Sequence, residues 1–75
     1  MTLMQGDKET DYRIVKIISS DENLLRRLSS FGITKGSIVR LLHYSLNKTN
    51  LAIIVGNSQV ALRDCEAKQI YIEKV

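Results

Sequence analysis

Residues Leu24 to Val39 read L-L-R-R-L-S-S-F-G-I-T-K-G-S-I-V, and this stretch decides the fold. Leu24, Leu28 and Phe31 recur at i, i+4 and i+7, which lays one apolar stripe along a short helix. Gly32 stands where that helix must stop, since a residue there usually takes the left-handed conformation that only glycine adopts without steric cost. Ile33 falls one position past the capping glycine and is expected to pack back on Leu28. Gly36 marks a turn four residues later, and a strand-like run starts at Ser37. One short segment thus holds a helix, its stop, a tight turn and a strand start.

Working outward, Tyr12 to Ile18 (Y-R-I-V-K-I-I) is rich in β-branched residues and predicts a first strand. Met1 to Asp11 is polar apart from Leu3 and Met4, so only a short edge strand over Thr2 to Met4 is expected there, held by a few contacts. Ser19, Ser20 and Asp21 are N-cap candidates, and Ser19 with Glu22 has the spacing of a capping box. Asp21 and Glu22 also place negative charge at the positive end of the helix dipole. The helix is predicted from Glu22 to Phe31.

Downstream, Ser37 to Tyr44, Leu51 to Val55 and Ser58 to Arg63 read as strands. A polar loop over Leu46 to Asn50 joins the first two, and a tight turn at Gly56-Asn57 joins the last two. Asp64 to Lys68 is a short turn with helical character. Gln69 to Val75 closes the chain, with Ile70 and Ile72 alternating against Tyr71 and Glu73. The pattern predicts an all-β fold with one short inserted helix, a small SH3-like barrel of five to six strands. Residues 1–75 are expected to form one such domain.

A chain of 75 residues with 44% hydrophobic and 25% charged residues suits a small globular domain rather than a disordered one. A single cysteine, Cys65, excludes an internal disulfide framework and fits a reducing compartment. Met1 to Asp11 lacks the apolar core of a signal peptide, and no run approaches a membrane span. The expectation is a soluble, cytoplasmic protein, which leaves open work against a membrane protein because a partner can supply the spans. Eleven Lys and Arg against eight Asp and Glu give a net charge of +3, spread from Lys8 to Lys74. That spread reads as a mixed, solvated surface rather than a nucleic-acid stripe interleaved with aromatics.

No catalytic arrangement is visible, and neither a cofactor nor a metal site is expected. The only histidine, His43, and the only cysteine, Cys65, fall in different elements without the short local spacings of a zinc site. The pair Gly32 and Gly36 lacks the Lys-Ser/Thr ending of a phosphate-binding loop. An enzyme therefore ranks last, for want of a paired acid, base or nucleophile. The helix is the best binding surface. Leu25 lies about 100° around from Leu24, at the edge of the apolar stripe, while Arg26, Ser29 and Ser30 face outward. Partner contacts are expected at Leu24, Leu25, Arg26 and Ser30, with Gly32, Gly36 and Gly56 as structural turn residues. The bland reading of Leu25 is that it widens the core stripe. A small-barrel nucleic-acid binder is the competing function, with Tyr12, Phe31, Tyr44 and Tyr71 as its only stacking residues. A proline-rich-peptide SH3 domain would need more aromatics than this chain has.

Two blocks carry a family resemblance. L-x-x-R-L-x-x-F-G-I-x-x-G, from Leu24 to Gly36, resembles the L-x-x-R-L-x-x-L-G-L-x-x-G signature of FeoA, the ferrous iron transport protein A family. A-L-R-x-x-E-A-x-x-I-x-I, from Ala61 to Ile72, is similar to the ending of the same family. The resemblance implies an SH3-like barrel that serves as a small cytoplasmic accessory of bacterial ferrous iron uptake. It would bind and modulate FeoB, the transmembrane transporter, through that partner's soluble GTP-hydrolysing portion, and the partner would bind the GTP. Arg27 matches the family's arginine, which a salt bridge within the fold explains as well as a partner contact does. Glu66 also matches, and is read as an acceptor for turn amides in preference to a ferrous ligand beside Asp64 and Cys65. Two departures stand out: Phe31 replaces the usual leucine, and the hairpin over Tyr44 to Asn50 lacks the family's proline and glycine. With no proline to block strand edges, weak self-association is left open.

Overall fold

The computed structural model describes all of residues 1–75. Five strands form: β1 (Thr10–Ile17), β2 (Ile38–Tyr44), β3 (Asn50–Val55), β4 (Ser58–Arg63) and β5 (Ile70–Lys74). Helix α1 (Glu22–Ser30) is inserted between β1 and β2, and one turn of helix, α2 (Asp64–Ala67), precedes β5. Neighbouring strands pair antiparallel in the order β4-β3-β2-β1-β5. The register slips at Val15 against β5 and at Leu42 against β3. Each extra residue bends and twists its strand. The sheet therefore curls: the molecule measures 28 × 25 × 23 Å, close to equal in all directions.

Alternation along the strands sends one face inward. Tyr12, Ile14, Val39, Leu41, Leu51, Ile53, Val60, Leu62, Ile70 and Ile72 meet there. Leu24, Leu28 and Ile33 close one side of this core, and Leu3 and Ala67 add to it. No polar or charged residue is buried, and no buried side-chain polar atom lacks a partner. The core is held chiefly by apolar burial.

Local chemistry sets the ends of α1. The Asp21 carboxylate accepts from the Asn23 and Leu24 amides at 3.0 and 3.2 Å. Ser19 instead accepts from the Asp21 amide at 3.1 Å, so the capping box expected between Ser19 and Glu22 does not form. Asp21 is adjacent to the first turn and charged, which makes it the better cap. At the other end Gly32 has φ +85°. The Ile33 amide donates to the Leu28 carbonyl and the Gly32 amide to the Ser29 carbonyl, both at 2.9 Å. These two bonds are the Schellman closure. They turn the chain so that Ile33 becomes 1% exposed over the fully buried Leu28. Phe31, expected in the core stripe, is 41% exposed. The helix has ended by Ser30, and Ile33 fills the space that helical spacing assigned to Phe31.

The exit from α1 is a turn over Thr34–Ser37, closed by the Ser37 amide on the Thr34 carbonyl at 3.0 Å. Gly36 occupies its third position with φ +90°, the geometry a type II turn requires. The Ser37 hydroxyl donates to the Gly32 carbonyl at 2.7 Å, tying the turn to the helix stop. At the β3–β4 hairpin Gly56 has φ +59°, and it is the first of two turn residues.

The N-terminus departs from expectation. Instead of a sixth strand, Thr2 makes a single bridge to Tyr71, and the Met1 carbonyl accepts from the Ile72 amide at 2.8 Å. A 3-10 turn over Leu3–Gln5 then drives Leu3 fully into the core. The Tyr44 hydroxyl is shared between the carbonyls of Leu3 and Gly6, at 2.6 and 2.8 Å. The Tyr12 hydroxyl accepts from the Asp7 amide at 2.6 Å. A side chain at Gly6 would place its Cβ 3.0 Å from Leu41 and 3.1 Å from the Tyr12 ring, so those side chains would have to give way by a few tenths of an ångström for anything larger than glycine.

Candidate functional site

Two attachments fasten α1 to the sheet. One is the buried pair Leu24 and Leu28, with Ile33 behind them. The other is an ion pair from Arg27 to Glu66, which joins α1 to α2 across the molecule. The second Glu66 oxygen accepts from the Arg63 amide at 3.0 Å, capping α2. Glu66 has only 15% of its side chain exposed, so its carboxylate is fully engaged by the fold. Arg27 of the first sequence block and Glu66 of the second therefore hold the scaffold and fix the pose of the helix.

The residues expected to meet a partner divide accordingly. Leu24 is 7% exposed and belongs to the core, which removes it from any contact surface. Leu25 is half-buried at the border of the helix. Arg26 has 77% of its side chain exposed and touches only Glu22, one turn back, at 3.8 Å. Ser30 is exposed and its hydroxyl donates to the Arg27 carbonyl at 2.6 Å. Ser29 is exposed beside it. Leu25, Arg26, Ser29 and Ser30 thus form one outward face that the fold leaves free. Phe31 emerges exposed at the end of the helix on the Arg27 flank, a position that helical spacing alone assigned to the core. The glycine directly after it was the available signal, because it puts Phe31 on the cap.

Elsewhere the titratable side chains are dispersed. His43 sits on the outer face of β2, and Cys65 is exposed on α2. Asp64 accepts from the Cys65 amide at 2.7 Å while Glu66 turns to Arg27, so the three do not converge. No three of His, Cys, Asp and Glu come together. Burial, reinforced by nearby Tyr12 and Asp7, raises the Tyr44 hydroxyl above the usual tyrosine range. That group serves the N-terminal strap. In the hairpin loop without proline or glycine, Lys48 takes φ +56° and sets its ammonium 4.8 Å from the centre of the Tyr44 ring. The Ser45 hydroxyl accepts from the Thr49 and Asn50 amides and knits that loop. A shallow hollow of about 240 Å³ lies on the outer face of β2, β3 and β4, floored by Ala52 and Ala61.

A curled five-stranded antiparallel sheet, with a helix inserted after β1 and one helical turn before β5, is an SH3-like barrel. This one carries its main helix on the outside, pinned by one ion pair and two leucines. The chain belongs to the FeoA family: the FeoA domain matches residues 1–74. A Helicobacter pylori (strain ATCC 700392 / 26695) protein named "Putative Fe(2+) transport protein A" is 43% identical over 74 residues, covering 99% of this chain and 97% of its own length. Among solved structures, iron(II) transport protein A from Clostridium thermocellum superposes with a TM-score of 0.91 at 25% identity, covering all of this chain. This chain spans 46% of that protein's length. The zinc-complexed FeoA of Stenotrophomonas maltophilia, described as a prokaryotic SH3 domain protein, has a TM-score of 0.82 at 28% identity. That likeness covers 97% of this chain and 89% of the other. No helix of the structure is long and apolar enough to cross a membrane.

Proposed function

We propose that this chain is a cytoplasmic accessory protein of bacterial ferrous iron uptake, without a reaction of its own. In this reading it docks the outward face of α1 on the cytoplasmic portion of a FeoB-type transporter and modulates it. The observation that carries the reading is the division of labour on α1. Arg27 and the leucine stripe hold the helix to the rest of the fold, while the side chains of Leu25, Arg26, Ser29 and Ser30 make no hydrogen bond or ion pair outside α1. A small apolar anchor with a charged rim, held at a fixed angle, suits a protein contact. Docking changes a partner only by binding its conformational states unequally, so affinity should depend on the partner's nucleotide state. The nucleic-acid alternative is the weaker one, because five of the eleven cations, Arg13, Arg26, Arg27, Arg40 and Lys74, lie within 4.0 Å of acidic groups. The test is calorimetric titration against the transporter's soluble GTP-binding portion, loaded in turn with GTP analogue and GDP. Unequal affinities that Arg26→Glu weakens by about tenfold or more support the reading. Equal affinities, or an Arg26→Glu titration that matches wild type, overturn it.

A further inference from the structure

The outer face of β1 carries apolar side chains that the core does not use. Between Ile14, opposite Ile72, and Lys16, opposite Tyr71, β1 holds one residue more than β5. This bulge sets Val15 and Lys16 outward together, so Ile17 packs against the core and Ile18 is left outside. Val15 is 37% exposed and Ile18 55%. On the β2 side Ile38, 44% exposed, lies opposite Arg13. The Ile14 amide donates to the Ser37 carbonyl at 2.9 Å, and the Ile14 carbonyl accepts from the Gly36 amide at 2.7 Å. These bonds bring the turn that carries Lys35 alongside Val15. Three of the seven exposed large apolar side chains are therefore neighbours on one face, whereas apolar residues scattered singly would need no explanation.

The free charge around these residues has one sign. Lys16 and Lys35 are exposed, and neither meets a carboxylate. The Lys16 ammonium lies 5.0 Å from the centre of the half-buried Tyr71 ring. Nearby acids are engaged: Glu73 pairs with Arg13 at 3.5 Å, Asp21 accepts from two amides, and Glu22 faces Arg26. Branched apolar tips, a tyrosine and lysines on long stems can bury their carbon while the ammonium groups stay in water. That mixture suits a lipid–water boundary with negative headgroups. The face offers nothing to a peptide strand, because β1 already has β2 and β5 on its two sides. The hollow of the surface lies elsewhere, on β2, β3 and β4. What remains is a convex, cationic, apolar-tipped face without a groove, which fits a soft anionic surface better than a shaped one.

We infer that this face of β1 seats the protein on the anionic headgroup surface of a phospholipid bilayer. Val15, Ile18 and Ile38 enter the headgroup boundary, and Lys16 and Lys35 meet lipid phosphates. The contact uses none of Leu25, Arg26, Ser29 and Ser30. It therefore stands or falls independently of whether those residues dock a transporter.

The test is vesicle co-sedimentation of the full chain with no other protein present. The vesicles are phosphatidylcholine with and without about 30% phosphatidylglycerol, in about 0.1 M salt. Wild type should sediment with the anionic vesicles and stay free of the neutral ones, and its amide NMR signals should broaden first at Val15, Lys16, Ile18 and Ile38. Lys16→Ala with Lys35→Ala should weaken the partition about tenfold or more. Lys8→Ala with Lys48→Ala removes the same charge at the other end of the barrel and should change it less than about threefold. Val15→Ser with Ile38→Ser leaves the charge alone and should weaken it about fivefold or more. Absence of binding to the anionic vesicles overturns the inference, as does broadening centred on other residues. Equal losses in the two lysine pairs, or a serine variant that matches wild type, would reduce the effect to net charge and overturn it too. Binding of a hexaglutamate peptide at these residues without vesicle binding would give the face to a protein instead, and is equally decisive against it.

Discussion

The α1 segment and the N-terminal strap both attach to the outside of the same curled sheet, by opposite means. From Asp21 to Ser37 the chain is held largely by its own backbone: a carboxylate cap, a Schellman closure and a glycine turn. The side chains that bind it to the rest of the fold are Leu24, Arg27, Leu28 and Ile33, which leaves one whole face of the helix unassigned. From Met1 to Glu9 there is almost no regular structure, and all but one of the attachments described, that of Asp7 on Tyr12, reach far along the sequence. Leu3 fills the core, Tyr44 holds two carbonyls, and the Glu9 amide donates to the Leu41 carbonyl at 2.6 Å. A segment built from local rules can offer its side chains to another protein. A segment built from long-range contacts has few left to offer.

The largest expected effect breaks that contrast at its strongest point. Leu3→Ala should cost about 2–5 kcal/mol in denaturant unfolding, the usual loss for a fully buried leucine. Domains of this kind have roughly 5–15 kcal/mol in total, so the variant should be close to unfolding at ambient temperature. A loss below about 1 kcal/mol would mean that the strap is an optional trim and that the two regions do not differ as described.

A smaller effect sharpens the same contrast through pH. The Tyr44 hydroxyl is raised in the folded state, first by burial, and it donates within the strap. Its contribution is fully present below the unfolded tyrosine value of about 10 and is lost as pH rises through the higher folded value. Wild type should therefore lose stability from about pH 10 upward, a decline that Tyr44→Phe flattens. At neutral pH the same variant should cost about 1 kcal/mol for the missing hydrogen bond. Identical pH profiles for the two proteins would detach Tyr44 from the strap.

The smallest expected effect on stability lies on the helix. Arg26→Ala should change unfolding by less than about 0.5 kcal/mol, because an exposed i, i+4 ion pair contributes little. A loss above about 1 kcal/mol would make Arg26 part of the scaffold, and its face would no longer be free.

What could be read in the sequence follows the same boundary. The helix, its glycine stop, the turn at Gly36 and the four strands after it all rest on spacings of a few residues. Their reasons therefore lie within a short window. Errors there were errors of competition between neighbours. Asp21 displaced Ser19 as the cap, and Ile33 displaced Phe31 in the core because the closure turns the chain before a further helical turn can form. The strap was not legible, since its anchors on Tyr44 and Leu41 lie tens of residues away. Its one apolar residue of consequence, Leu3, has no periodic companion. Arg27 was legible only as a choice between a salt bridge and a partner contact, and Glu66 as an acceptor for turn amides in preference to a ferrous ligand. The structure pairs the two with each other and gives the second Glu66 oxygen to the Arg63 amide.

The account stands on the free face of α1 being where a partner docks. The most direct measurement is an amide NMR footprint of this chain as the soluble GTP-binding portion of a FeoB-type transporter is added. The account predicts shifts and broadening at Leu25, Arg26, Ser29 and Ser30, with Met1 to Glu9 unmoved. Perturbation centred on Met1 to Glu9, or none on α1 at saturation, would contradict it.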